Sequence, residues 1–307
     1  MGYINKLIKY ITNKDYRFLV NSLMWEYRKM PDREYIERRY HAKLGKVPDL
    51  DNPKTFNEKL QWLKLNYYPQ NPKVIQGADK YAVREYIQEK GLEHLLTHLY
   101  GVWDDAEQID WEKLPNQFVL KCTHGCAYNI VCKNKSTLDQ KSAEKQLNKW
   151  LKEDFGAFNV EIHYSMNRHH RIICEEYLGE SITDYKFFCF HGIPVFYYVS
   201  EGLIDNGQAR IGFFDINGEK LPMKRREYKD LCFADKPAFF DSMKESAKKL
   251  SKDFPFVRVD FFVTNDRYYF AELTFTPGGC MMAFDPESFD LEWGKLIDLT
   301  GLMSERK

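Results

Sequence analysis

The sequence predicts an α+β fold, and two patterns indicate it. Helical spacing of apolar residues dominates the first part of the chain, and from residue 95 onward short strands rich in Val, Phe and Tyr alternate with helices. With 307 residues, of which 44% are hydrophobic and 16% aromatic, the chain can bury a large core divided among two or three lobes.

The N-terminal segment, residues 1–53, differs from the rest in charge. Residues 1–47 hold eleven Lys or Arg against five Asp or Glu, whereas the whole chain has 45 of each. Apolar residues follow at helical spacing, at Ile4, Leu7, Ile8 and Ile11. We therefore expect a basic amphipathic helix. Such a helix usually packs on its own protein; contact with a membrane surface or a partner is the alternative.

Residues 55–66 and 78–91 are then predicted helices, the second ending at Gly91. The strand at 118–122 holds Lys121 within an apolar run and leads into a small-residue loop that contains Gly125. A second strand, 130–132, returns from this loop. The backbone N–H groups of such a flap can close over phosphates, with the lysine as a point charge. An ordinary hairpin has the same pattern.

The strand at 171–178 contains two adjacent acids, and a second sheet is predicted to begin near residue 184. Backbone groups of residues 176–178 could bind an adenine edge, and Glu175 or Asp184 could hold ribose hydroxyls. The alternative is that these acids cap a surface strand.

Two later runs, 257–263 and 269–275, place charged residues among apolar ones and read as the strands of a hairpin. If residues 265–267 form the loop, residue 264 faces 268 and Asp260 lies opposite Glu272. A two-residue loop would put the two acids on opposite faces. Opposite neighbours are close enough to share cations.

A paired Asp and Glu on rigid strands suits Mg²⁺, which takes carboxylate, phosphate and water oxygens. Thr274 shares the face of Glu272, and Arg258 shares the face of Asp260, where its guanidinium could hold a phosphate. The alternative is a half-buried ion pair between Arg258 and Asp260, with Glu272 facing solvent.

These motifs arrive in an order that resembles an ATP-grasp enzyme. Four segments are similar, more narrowly, to the TupA-like branch, which is associated with teichuronopeptide and other surface-polysaccharide biosynthesis. The segments are 79–81, 114–124, 184–190 and 254–260. The resemblance covers about residues 55–300 and leaves the basic N-terminal segment outside.

The resemblance implies an ATP-grasp fold with two sheet-bearing lobes around the nucleotide and a helical N-terminal segment. The implied divisions are 1–53 for that segment, 54–110 for an N-terminal lobe, 111–180 for the lobe with the lysine strand and flap, and 181–307 for the lobe with the metal-binding acids. It also implies an ATP-dependent carboxylate-amine ligase with Mg²⁺, which forms an acyl phosphate and couples an amino acid or amine to a uronic acid or similar acidic sugar.

Residue by residue, the resemblance assigns nucleotide contacts to Lys80, Lys121, His124, Gly125, Glu175, Glu176, Tyr177, Leu178 and Asp184. It assigns the metal to Asp260, Glu272 and Thr274. It assigns catalytic contacts with phosphate or acidic substrate to Arg258, Lys186 and Arg210. The basic residues 224–226 also fit an anionic sugar, although such a cluster is more often a solvated loop.

Two positions depart from the family pattern. Thr274 stands where the wider superfamily has Asn, and Ala127 stands where many relatives have Gly in the flap. Three other functions remain open. They are a glycosyltransferase, which would need a nucleotide-sugar site usually built on a DxD acid pair, a kinase on the same scaffold, and a non-catalytic ATP-binding partner.

The composition of the chain limits the kinds of molecule that it is expected to bind. Balanced charge argues against general nucleic-acid binding. The sequence shows neither a signal peptide nor an apolar run long enough to span a membrane, and its seven cysteines lack paired CxxC spacing. Cys122, His124 and Cys126 lack a second ligand pair for zinc. We expect a cytoplasmic protein with reduced thiols. Contact with the inner face of a membrane or with a partner through residues 1–47 is the alternative to packing of this segment on the protein itself.

Overall fold

A computed structural model of the chain describes residues 3–22, 30–202, 209–264 and 266–304. Twelve α-helices lie within these residues, joined in places by short 3₁₀ turns. The helices are α1 (Tyr3–Thr12), α2 (Lys14–Asn21), α3 (Asp32–Leu44), α4 (Phe56–Asn66), α5 (Pro72–Ala78), α6 (Val83–Glu89), α7 (Gln140–Leu151), α8 (Phe155–Asn159), α9 (Ile162–Ser165), α10 (Phe240–Ser251), α11 (Ser288–Gly294) and α12 (Thr300–Ser304).

The described strands form three sheets. They are β1 (Leu99–Trp103), β2 (Phe118–Cys122), β3 (Asn129–Cys132), β4 (Ile172–Glu176), β5 (Thr183–Phe190), β6 (Ile193–Glu201), β7 (Arg210–Asp215), β8 (Lys224–Arg225), β9 (Lys229–Asp230), β10 (Phe256–Val263), β11 (Tyr268–Thr274) and β12 (Phe284–Asp285). The orders are β1-β4-β2-β3, β11-β10-β5-β6-β7-β9 and β12-β8. Helices and two main sheets confirm the predicted α+β class.

The hydrophobic cores show how the lobes are joined. One core unites α4 to α6 with the six-stranded sheet, and a second lies against the four-stranded sheet. Because β1 is the edge strand of the four-stranded sheet, that sheet begins before residue 111. β1 lies in the predicted lobe 54–110 but pairs with β4 of the predicted lobe 111–180.

Local hydrogen bonds explain where the first helices begin. α4 opens with a capping box, in which Thr55 and Glu58 each bond to the backbone of the other, as expected for a helix predicted at 55–66. The helix predicted at 78–91 begins later, at α6. Asp79 accepts the backbone N–H groups of Tyr81 and Ala82 at 2.8 and 2.7 Å, and so holds a turn before this helix.

The turn of the β10–β11 hairpin is shorter than predicted. Val263 lies opposite Tyr268, and the Thr264 N–H donates to the Arg267 carbonyl at 2.9 Å. Only residues 265 and 266 lie between these partners, and residue 265 is outside the described residues. The expectation that residue 264 faces 268 is therefore wrong.

A β-bulge restores the predicted pairing of the acids. The register shifts between Asp260 and Phe261, which lies opposite Phe270, so that Ala271 is the extra residue on β11. Asp260 consequently lies opposite Glu272, as the sequence predicts, although for a different reason.

The N-terminal helix forms as predicted but does not pack its apolar face on the protein. The four aliphatic residues of α1 are between 52% and 72% exposed. Among the described helices, none combines the length and apolar character needed to cross a bilayer.

Candidate active site

One row of side chains crosses four neighbouring strands on the same face of the six-stranded sheet. Cross-strand pairing places Glu272 of β11 opposite Asp260 of β10, Asp260 opposite Lys186 of β5, and Lys186 opposite Tyr198 of β6. Adjacent strands are spaced at roughly 4.8 Å, so the row brings two acids, a cation and a phenol together.

Arg258 adds a second cation to this row, because it lies two residues before Asp260 and shares its face. Its Nε donates to Asp260 Oδ1 at 2.7 Å and its Nη2 donates to Oδ2 at 2.6 Å. The same Nη2 lies 3.1 Å from Glu272 Oε1 and 2.9 Å from Thr274 Oγ1. One guanidinium therefore bonds to all three residues assigned to the metal.

Asp260 is fully buried and is paired with two cationic side chains, Arg258 and Lys186. Lys186 Nζ lies 3.1 Å from Asp260 Oδ2 and 3.5 Å from Asp184 Oδ1. Burial opposes the charge of Lys186, but Asp260 and Asp184 outweigh it and raise its pKa. The ion pair between Arg258 and Asp260, one of two interpretations of the sequence, is thus present, and it uses both oxygens of the carboxylate.

Glu272 is the more accessible acid, with a side chain that is 41% exposed. The Thr274 hydroxyl donates to its Oε1 at 2.9 Å. Its partial desolvation in the cleft opposes ionisation, but Arg258, Lys186 and Lys80 outweigh this and lower the pKa of Glu272 to about 2. Its carboxylate is therefore ionised at neutral pH and partly open to a ligand.

Lys80 approaches this carboxylate from the other side of the cleft. Its backbone N–H donates to the Thr123 carbonyl at 2.9 Å, and its ammonium donates to the Gly125 carbonyl of the flap. Burial lowers the pKa of Lys80, although Glu272 opposes this. Lys80, Gly125, Tyr164 and Glu272 border a cavity of only about 20 Å³. This space is too small for a triphosphate, so nucleotide binding requires the flap to move.

The flap packs closely at Gly125. Its φ is +81°, and a Cβ at this position would lie 2.6 Å from the Phe155 ring. Ala127 also adopts a left-handed conformation, with φ 61°. Ala127 therefore occupies a backbone position that favours the glycine of the family pattern.

His124 anchors the base of the flap to α7. The residue is 2% exposed, its Nε2 lies 3.0 Å from the Trp150 carbonyl, and its ring stacks on His170 at 3.5 Å. Burial first, and His170 second, lower its pKa to about 4. His124 does not line the cavity beside Lys80, so its assigned nucleotide contact gains no support from its position.

Lys121 is paired within its own sheet. Its Nζ lies 2.6 Å from Glu175 Oε2, and Arg84 Nη1 lies 2.9 Å from Glu175 Oε1. Burial opposes ionisation of Glu175, but Lys121 and then Arg84 outweigh it and lower its pKa. A phosphate at Lys121 would share this lysine with Glu175.

The strand end assigned to adenine lies beside β1. Glu176 Oε1 accepts the His98 backbone N–H at 2.8 Å, and the Glu176 N–H donates to the His98 carbonyl at 3.0 Å. Tyr177 and Leu178 are partly buried in the connection to β5.

Arg210 is not brought to the site, contrary to its assignment as catalytic. It is exposed and bonds to Glu201 Oε2 at 2.7 Å. Glu201 is three residues beyond Tyr198 on β6 and points to the opposite face, because side chains alternate along a strand.

The structure also adds residues that the sequence motifs did not identify. Tyr198 is 5% exposed and completes the row of charged side chains, with its ring 5.7 Å from the Arg258 guanidinium. Tyr164 lines the cavity, and the buried Glu161 accepts a hydrogen bond from Thr276. The placement of Tyr198 depends on a register shift between Phe188 and Cys189, for which the sequence carries no clear signal.

Glu272 could hold a hard cation, and its donor set of carboxylate and neighbouring hydroxyl suits Mg²⁺. Asp260 is less accessible to a metal, because it is fully buried and both of its oxygens already accept hydrogen bonds from Arg258. Among the described residues, no group of three or more His, Cys, Asp or Glu is arranged to bind a metal by itself. Phosphate oxygens and water would have to supply the remaining ligands.

The solved structures that this chain matches include ligases of low sequence identity. The D-alanine–D-alanine ligase of Bacillus anthracis complexed with ATP has a TM-score of 0.47 and 11% identity, over 75% of this chain and 67% of that chain. The Helicobacter pylori enzyme has a TM-score of 0.40 and 14% identity, over 74% of this chain. The match spans 61% of the Helicobacter pylori chain, less than two thirds of its length.

No curated protein matches this sequence. A family model does match it, described as TupA-like ATPgrasp, over residues 58–298. The matched range contains Lys80, the flap, the row of charged side chains and Arg258. The chain therefore belongs to the TupA-like ATP-grasp family.

Proposed function

We propose that this protein is an ATP-dependent ligase that joins a carboxylate to an amine through an acyl phosphate. We further propose that it couples an amino acid or amine to a uronic acid or similar acidic sugar in surface-polysaccharide biosynthesis. Membership of the family supports the ligase activity, and the main structural support is the clustering of charged side chains at the cleft. Arg258, Lys186 and the exposed Glu272 converge in one cluster that faces Lys80 and the flap.

The residues present suit ATP with Mg²⁺. Lys80 and the flap backbone at Gly125 would hold phosphate oxygens, and Glu272 would hold the metal. Bound Mg²⁺ would neutralise phosphate charge and orient the transferred group. Phosphoryl transfer requires mainly positioning and charge neutralisation, and the cluster supplies both without a protein nucleophile.

The fixed parts of the site have distinct tasks in this proposal. Asp260 is buried and holds Arg258 and Lys186 in place, so that both cations are oriented before substrate arrives. Thr274 orients Glu272 through its hydroxyl. Closure of the flap at Gly125 would keep water from the acyl phosphate.

Basic side chains around the loop that follows β11 support an acidic acceptor. Lys43 Nζ lies 3.4 Å from the Gly278 carbonyl. Arg225 has a side chain that is 11% exposed, and a Cβ on Gly278 would lie 3.9 Å from its Nη2. Its bond to Glu227, at 3.3 Å, leaves other N–H donors for a substrate carboxylate.

A glycosyltransferase is less well supported. A DxD spacing does occur at Asp49 and Asp51, but both acids bond to groups of the N-terminal segment. Asp49 Oδ1 accepts the Asn52 N–H at 2.8 Å, and Asp51 pairs with Arg33 at 2.6 Å. The pair therefore acts in local structure before α4.

The deciding experiment measures ADP release with ATP, Mg²⁺, a panel of uronic acids and a panel of amino acids. We expect ADP release to require both an acid and an amine, and the product to contain an amide. Release with the sugar alone and a stable phosphoester would identify a kinase. ATP binding without ADP release under any pair of substrates would identify a non-catalytic ATP-binding protein, and either result would overturn the proposal.

A further inference from the structure

Helix α1 turns its apolar face away from the protein. Ile4, Leu7, Ile8 and Ile11 are 72%, 52%, 53% and 63% exposed. Their spacing of three and four residues places them on one side of the helix. Single exposed apolar residues are ordinary, but a continuous face of branched aliphatic side chains marks an interaction surface.

The opposite side of α1 is the one attached to the protein. Tyr10 donates from its hydroxyl to Asn21 Oδ1 at 2.8 Å, and Lys9 Nζ lies 4.8 Å from the Tyr16 ring centroid. Arg17 Nη1 donates to the Ile11 carbonyl at 2.9 Å and so caps the C-terminal end of α1. These contacts with α2 fix the rotation of α1 and leave its aliphatic face pointing outward.

α2 is in turn tied to the body of the N-terminal segment. Phe18 is buried and meets the Tyr35 ring of α3 edge to face at 6.2 Å. A packed core therefore holds α2 in place, and the contacts of α2 with α1 hold α1 in one orientation. Inverting α1 to bury its aliphatic face would break the contacts of Tyr10, Lys9 and Arg17 together.

The charge around this face selects the partner. Residues 3–22 contain Lys6, Lys9, Lys14 and Arg17 against the single acid Asp15, while the whole chain is balanced. A second copy of the same surface would bring two basic segments together and be repelled. An anionic surface would be attracted, and a helix with an aliphatic face and a lysine-bearing opposite face suits the boundary between lipid headgroups and acyl chains.

We propose that α1 binds the surface of a membrane that contains anionic phospholipid, with its four aliphatic side chains inserted below the headgroups. This inference is independent of the proposed ligase activity. The test is flotation of the full chain with vesicles of phosphatidylcholine and phosphatidylglycerol, compared with vesicles of phosphatidylcholine alone. We expect flotation with the anionic vesicles, weakened by salt, and little with the neutral ones.

Ile8→Asp is the informative variant, and Ile193→Asp is its matched control because Ile193 is 61% exposed at the β5–β6 turn. We expect Ile8→Asp to lower vesicle affinity by about tenfold or more and Ile193→Asp to bind as the wild type does. Circular dichroism would confirm that both variants are folded. Lys6→Glu combined with Lys9→Glu should weaken binding and reduce its salt dependence.

Three results would overturn the proposal. The first is a wild-type chain that stays unbound with anionic vesicles, and the second is equal binding by Ile8→Asp and Ile193→Asp. The third is a wild-type dimer in light scattering that Ile8→Asp converts to a monomer without any vesicle binding by either. That result would assign the face to self-association.

Discussion

Arg258 and Asp260, two residues apart on β10, bond to each other through two parallel N–H···O contacts of 2.7 and 2.6 Å. The Arg258 Nη2 also reaches Glu272 at 3.1 Å. The two acids therefore differ in role. Asp260 has no exposed surface and orients the cations, whereas the side chain of Glu272 is 41% exposed and faces the cleft.

Glu272→Gln should abolish ATP-dependent product formation while leaving the fold intact. The change keeps the size of the side chain but removes the charge that a metal-bound triphosphate requires. Glu201→Gln is a matched control, since Glu201 also pairs with an arginine and its side chain is 40% exposed, away from the site. ADP release measured for both variants checks the prediction, and wild-type turnover in Glu272→Gln would reject the metal role.

Asp260→Asn should destabilise the protein as well as inactivate it. Removing this carboxylate leaves Arg258 and Lys186 with a weaker partner in a buried site, which lowers the free energy of unfolding by about 3 kcal/mol. Urea unfolding would measure the loss.

A second variant separates charge burial from simple disruption. Adding Lys186→Met to Asp260→Asn removes one uncompensated cation and should recover part of the lost stability. A double variant that is less stable than Asp260→Asn would contradict the view that Asp260 acts by compensating Lys186.

The sequence predicted the class of fold and the acids of the site, because both follow from local patterns. Alternation along strands placed Arg258 with Asp260, and family motifs identified Lys80 and the flap. A three-residue loop predicts the pairing of Asp260 with Glu272, whereas the turn is shorter and a bulge at Ala271 compensates for it.

The positions of the other site residues could not be predicted from the sequence, because they depend on contacts between distant segments. Tyr198 joins the row only through a register shift in the β5–β6 hairpin. Arg210 looked equivalent to Lys186 as a basic residue in the same lobe, yet alternation on β6 directs its partner Glu201 to the other face. The pairing of Lys121 with Glu175 requires β2 and β4 to be adjacent, which residues 54 apart in sequence do not reveal.

Acidification should destabilise the protein through its buried histidines. The pKa of His124 is lowered to about 4 by burial and then by His170, and that of His163 to about 3 by burial and then by Lys64. A histidine in the unfolded chain titrates near 6.5, so between pH 6.5 and 4 the unfolded state binds protons that the folded state does not. Stability therefore falls as the pH is lowered through this window.

His124 should lower the free energy of unfolding of the wild type by about 2 kcal/mol between pH 7 and pH 5. The His124→Asn variant should lack this part of the pH dependence. His169→Asn is the control, because the side chain of His169 is 66% exposed. Urea unfolding of both variants at the two pH values checks this. A His124→Asn variant with the full wild-type pH dependence would show that this histidine is not held neutral in the folded state.

Reciprocal changes in the flap should have opposite effects on stability. Ala127→Gly removes the strain of an alanine in the left-handed conformation. Glycine is also freer in the unfolded chain, which opposes this gain, so the free energy of unfolding should rise by at most about 1 kcal/mol. Gly125→Ala should lower it by about 1 to 3 kcal/mol, since the new Cβ would meet Phe155 at 2.6 Å.

Gly91→Ala separates strain from collision at the flap. Gly91 also has a positive φ, of +68°, but a Cβ there would meet nothing within 4 Å. The loss of unfolding free energy in Gly91→Ala therefore measures backbone strain alone. The additional loss in Gly125→Ala measures the collision of the new Cβ with Phe155. Because the Gly125 carbonyl also accepts a hydrogen bond from Lys80, displacement of the flap in Gly125→Ala should also weaken ATP binding, measured by calorimetry, whereas Gly91→Ala should leave it unchanged. Equal ATP affinity in the two variants would show that the seating of Gly125 on Phe155 does not control the nucleotide site.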